Sequence, residues 1–133
     1  MRPSRIIANI LGPMLFVQVI LGGGSAFLRF PIALHLLWGI ATFAVLIAAT
    51  VLGFKDYGSS SNMFKIGAVA IVIFILQGIL GLISFSSNVA IVVHLTNAFV
   101  LAVLVTYMIS FADSLDKRAK TQAPMPEQPQ PSG

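Results

Sequence analysis

Four long apolar runs separated by short polar breaks set the pattern of this chain. The first extends from Ile6 to about Gly24, the second from about Pro31 to Leu52, the third from about Met63 to Phe85 and the fourth from about Val89 to Phe111. Each run is about 19 to 23 residues, enough to cross roughly 30 Å of hydrocarbon as a helix rising about 1.5 Å per residue. Pro31 suits the first turn of the second helix. Turn formers and charges from Gly53 to Asn62 and a short uncharged stretch from Ser84 to Asn88 supply the breaks. The basic start, apolar run and small residues at Gly24, Ser25 and Ala26 also fit a cleavable signal peptide. Gln18 has a counterpart later in the chain, so the segment is expected to be retained.

Composition places the chain in lipid. Its 133 residues are 57% hydrophobic and 9% charged, with mean hydropathy +0.95, whereas a soluble domain carries about 25% charged residues. The expectation is an all-α membrane protein. A net charge of +4 would suit nucleic acid only if the basic residues clustered on a soluble face. They flank apolar runs instead, and no nucleic-acid partner is expected. Arg2, Arg5, Lys55, Lys65, Lys117, Arg118 and Lys120 fall on one side of the four-helix topology and Arg29 alone on the other. Positive residues stay inside. Both termini and the middle loop are therefore expected to be cytoplasmic, in a multi-pass protein of the cell membrane. The bundle is expected over residues 1–116, and the Pro- and Gln-rich end, 117–133, as a disordered cytoplasmic tail.

One stretch occurs twice. Gln18 begins QVILGG and His35 follows in PIALHLLWG; Gln77 begins QGILGL and His94 follows in VAIVVHLTNA. Both glutamines and both histidines stand 59 positions apart (77 − 18 and 94 − 35), and the chain has no other histidine. Each half is an in–out–in hairpin, so the bundle is expected to comprise two parallel two-helix repeats. The histidines then lie about 6 to 9 Å inside the outer boundary on helices two and four. All four side chains fall in one outer layer.

Polar side chains are costly in an apolar run and need a partner. Two histidines facing each other across a bundle suit the opposite axial positions of a haem iron. Zinc normally takes about four ligands, and no membrane-embedded acid or thiolate completes such a shell. The absence of cysteine also excludes iron–sulfur clusters, disulfides and covalent haem attachment. Gly22, Gly81, Gly39 and Ala98 permit close approach to a porphyrin, with Phe16, Trp38, Phe85 and Phe99 as apolar bulk. Arg29 is the candidate partner for the propionates, and Asn88 holds its place in the second copy. The glutamines bond to each other, to a backbone carbonyl or to the histidines. The alternative for each of these groups is structural: hydrogen bonding and packing for the histidines, Trp38 and the phenylalanines, interfacial anchoring for Arg29.

The pattern Gln-x-x-Leu-Gly, an outer-loop Arg and a transmembrane His, in FVQVILGGGSAFLRFPIALHLL and in part in LQGILGLISFSSNVAIVVHLT, resembles one four-helix half of the haem A synthase family. The resemblance covers roughly Phe16 to Tyr107 and implies haem binding by His35 and His94. Members usually join two such bundles, one of which oxidises a haem methyl group. The catalytic half of the family carries a Glu one turn before its first axial His, where this chain has Ile32 and Ile91. The acids here are Asp56, Asp113, Asp116 and Glu127, all expected on the cytoplasmic side, and the outer-loop cysteines of some members are missing. The expectation is therefore a b-type cytochrome subunit holding haem b or a related haem and transferring electrons in or beside a respiratory oxidase. Its partners would be other membrane subunits or a second copy, and a quinol or an outer-side redox protein. The alternatives are a half-length haem A synthase acting as an oligomer and a haem-free oxidase accessory subunit.

Overall fold

A computed structural model describes residues 2–84 and 87–121. The expectations for Phe85, for Glu127 and for the tail from residue 122 onward lie outside the described residues, as does the side chain of Lys120. Four helices account for nearly everything described: α1 (Pro3–Phe27), α2 (Ile32–Tyr57), α3 (Asn62–Ile83) and α4 (Asn88–Thr121). Each is long and apolar enough to cross a membrane. Large apolar side chains such as Leu37, Val89 and Val92 stand more than three-fifths exposed, a pattern suited to lipid rather than water.

The helices run past the expected boundaries at both charged ends. α2 continues through Phe54, Lys55 and Asp56 to Tyr57, and the break expected from Gly53 contracts to Gly58–Ser61. Charged residues leave the hydrocarbon without leaving the helix. What stops α2 is Gly58, whose positive φ of 81° suits a residue without Cβ. Ser61 then caps α3 by accepting a hydrogen bond from the Phe64 N–H at 3.2 Å. α4 reaches Thr121 over 34 residues, about 51 Å, so its last turns extend beyond a hydrocarbon core and take up the first residues expected in the tail. At the other end α1 closes through Arg29, whose φ of 58° is left-handed, while the N–H groups of Leu28 and Phe30 both bond the Gly24 carbonyl.

Each helix packs mainly on its sequence neighbours, and α4 closes the ring against α1. The core occupies one half of the bundle's length. Ala8 and Leu11 of α1, Leu46 and Ala49 of α2, Met63 and Ala70 of α3, and Leu101, Val105 and Met108 of α4 are buried together. Small residues let the backbones approach there, with Gly67 against Thr50 and Gly53 against Met63. Beyond this core, toward the α1–α2 and α3–α4 turns, the two hairpins separate.

Charged groups close the packed end. The Arg5 guanidinium pairs with Asp113, and with the buried Asp116 at 2.8 Å. Asp56 accepts from the Ser4 N–H at 3.2 Å, and Arg2 bonds the Asp56 carbonyl while lying over the Tyr57 ring. Arg5 is partly exposed and Asp116 buried, so removing the guanidinium takes a charged partner from a carboxylate held away from water. Arg5→Met should therefore lower the melting temperature of the detergent-solubilised protein by roughly 5 °C or more. Adding Asp113→Leu and Asp116→Leu should recover most of that loss in the same thermal melt.

Candidate functional site

Between the separated hairpins lies a cavity of about 640 Å³, within the range of small-molecule sites. Gln18 and Gly22 of α1, His35 and Gly39 of α2, Gln77 and Gly81 of α3, and His94 of α4 all line it. The two imidazoles lie on alternate helices of the ring, with centroids 6.4 Å apart and planes at 69°. His35 stands in the first turn of α2 and His94 in the second turn of α4.

Each histidine is held by the glutamine that precedes it. Nδ1 of His35 is 3.2 Å from the Gln18 backbone carbonyl, and its Nε2 is 3.4 Å from the Gln18 side-chain nitrogen. The corresponding distances for His94 and Gln77 are both 3.1 Å. A carbonyl can only accept, so Nδ1 carries the proton and donates. In the neutral ring Nε2 then holds the lone pair and accepts from the Gln amide. The backbone thus fixes the tautomer in which the Nε2 lone pair faces the glutamine amide.

The glycines explain how the ring reaches a carbonyl already inside a helix. Side chains lean toward the helix N-terminus, so the residue four positions on normally covers the carbonyl. Gly22 follows Gln18 at that spacing, and Gly81 follows Gln77. A Cβ on Gly22 would lie 2.8 Å from His35 Cε1, and one on Gly81 3.1 Å from His94 Cε1. Gly39 makes similar room, since a Cβ there would meet the Gln18 side-chain nitrogen at 2.9 Å.

Other expected participants lie elsewhere. Trp38 is not in the cavity wall; its indole N–H donates to the Met14 carbonyl at 2.8 Å and ties α2 to α1. Phe16 and Phe99 are 68% and 74% exposed and give no bulk to the site. Arg29 is exposed at the α1–α2 turn, outside the wall, and Asn88 is exposed at the start of α4. The sequence reading overlooked Asn97, whose side-chain N–H₂ donates to Gln77 Oε1 at 2.7 Å and to the Ile73 carbonyl at 3.2 Å. Its signal was available: Asn97 stands 59 positions after Trp38 (97 − 38), as Ile73 does after Met14 (73 − 14).

The metal-ligating side chains in the cavity wall are two imidazoles, a set that would suit an ion taking its other ligands from a porphyrin. Imidazole nitrogen is an ordinary ligand for iron, and the two rings line one cavity with centroids 6.4 Å apart. Among the described residues no group of three or more His, Cys, Asp or Glu comes together. A porphyrin supplies four of the six iron ligands and needs only two from the chain. The described carboxylates Asp56, Asp113 and Asp116 belong to the opposite end of the bundle.

Two measurements test this geometry. Nitrogen-15 spectra of the histidine-labelled apoprotein should show both rings as the Nδ1–H tautomer; Nε2–H rings would contradict the carbonyl bonds. Gly22→Val should push His35 off the Gln18 carbonyl and lower the melting temperature by a few degrees, about the effect of losing one hydrogen bond, whereas Gly23→Val, with open space at its Cβ, should not.

Comparison of the chain with protein-family models, with curated proteins and with solved structures gives no match in any of the three, so the likeness to haem A synthases rests on the quoted motifs alone.

Proposed function

We propose that this chain is a b-type cytochrome subunit that binds one haem between His35 and His94 and passes electrons within or beside a respiratory complex. The observation that carries the reading is the pair of imidazoles across one apolar cavity, 6.4 Å apart, each with its Nδ1 proton engaged by a backbone carbonyl. Bound between them, haem b or a related haem supplies one-electron chemistry. The residues of the chain do the rest. Gln18 and Gln77 hold the rings in orientation through their carbonyls, and the hydrogen bond to Nδ1 raises the basicity of Nε2. Gly22, Gly39 and Gly81 keep the walls thin, while Phe43 and Phe74, stacked at 5.2 Å, close the floor of the cavity toward the core.

The reading extends to placement. The two hairpins are parallel repeats, inserted with both termini in the cytoplasm, and the haem lies toward the outer face of the cell membrane. Basic residues at one end and Arg29 at the other support that orientation. Exposed Leu36 and Ile40 of α2 and Leu82 of α3 belong to the cavity wall, so the site is open to the side as well. A lipid-dissolved quinol or an outer-side redox protein can approach it, and the apolar outer faces suit neighbouring membrane subunits. Among the described residues no acid lines the cavity to take a proton during oxidation of a haem methyl group, which favours electron transfer over the synthase chemistry of the family it resembles.

Protein purified from cells supplied with haem should show a Soret band and a reduced α-band. The His35→Ala/His94→Ala double variant, with helical content unchanged, should lose both. No haem band in the wild-type protein would contradict the reading, as would the appearance of haem A on co-expression with a haem O source.

A further inference from the structure

The two histidine sites differ in how firmly their glutamines are held. Gln77 is fixed at both ends of its carboxamide: its nitrogen faces His94 Nε2 at 3.1 Å, and its oxygen accepts from Asn97 at 2.7 Å. Asn97 is itself anchored on the Ile73 carbonyl. In the first half Trp38 occupies the place of Asn97 and spends its only N–H on the Met14 carbonyl. Gln18 Oε1 is consequently buried with no hydrogen-bond partner among the described residues, and its nitrogen faces His35 Nε2 at a longer 3.4 Å.

An iron ion and a glutamine amide compete for the same Nε2 lone pair, so each histidine becomes a ligand only when its glutamine turns away. For Gln18 this breaks one long hydrogen bond, and its Oε1 has no bond to lose. For Gln77 it breaks a shorter bond and also disrupts the contact with Asn97. Resting on the haem reading above, we propose that the two axial positions are unequal. His35 is the permanent ligand, and His94 is an exchangeable one, held back by the Gln77–Asn97 pair. A small exogenous ligand would therefore take the place of His94 rather than of His35. Asn97 and Gln77 act as positioning residues for that exchange.

Carbon monoxide titration of the reduced, haem-loaded protein, followed by absorption, tests the proposal. The wild-type protein should bind carbon monoxide by displacing His94. Asn97→Leu releases Gln77 and so strengthens the competing histidine; it should weaken carbon monoxide binding about five- to tenfold, the factor one hydrogen bond supplies. Gln77→Leu removes the competing amide and should act in the same direction, a check that is independent of how Asn97→Leu folds. His94→Ala should retain most of its haem and bind carbon monoxide more tightly, while His35→Ala should lose most of its haem. Equal haem retention in the two single variants, or unchanged carbon monoxide affinity in both Asn97→Leu and Gln77→Leu, would overturn the inequality while leaving haem binding intact. A wild-type protein without a haem band would overturn the haem reading, and this proposal with it.

Discussion

A polar group placed in lipid must find its partner inside the protein, and the arrangement of this bundle follows from that constraint. Thr42, Thr50, Thr96, Thr106 and Ser110 meet it locally by donating to the carbonyl four residues earlier. The histidines cannot, because an imidazole needs a partner beyond its own helix turn. Each reaches instead for a carbonyl on the preceding helix, and it gets there only because a glycine leaves that carbonyl uncovered. The His–Gln–Gly set is thus one unit, and it joins the two helices of each hairpin at the end where the core does not.

The division of the bundle into a packed half and an open half has the same origin. Interlocking small and large residues, with ion pairs at the charged end, bring all four helices together around Leu46, Met63, Leu101 and Met108. Toward the opposite end the side-chain hydrogen bonds among the described residues lie within hairpins, Trp38 to Met14, His35 to Gln18, Asn97 to Ile73 and His94 to Gln77, while Phe43 and Phe74, and the two imidazoles, meet between hairpins through their rings. With little to draw the hairpins together there, they leave a cavity that both histidine–glutamine pairs line.

Much of this was legible in the sequence. Apolar run lengths marked four helices, and two copies of Gln-x-x-x-Gly followed by His marked the site residues that meet. Helix ends were less legible, because a charged residue ends a membrane span without ending a helix: Lys55, Asp56, Lys117 and Arg118 are all helical. Trp38 and Phe99 were misplaced because composition gives the bulk of an aromatic ring and not the face it occupies. The role of Asn97 lies in the difference between the two copies, where Trp38 stands in the first, rather than in their likeness.

The central claim is that one haem occupies the cavity of one chain, and pyridine haemochrome analysis of the purified protein against total protein measures this most directly. The account predicts one non-covalently bound haem per chain. Protein of intact helical content that holds no haem, or one haem per two chains, would contradict it.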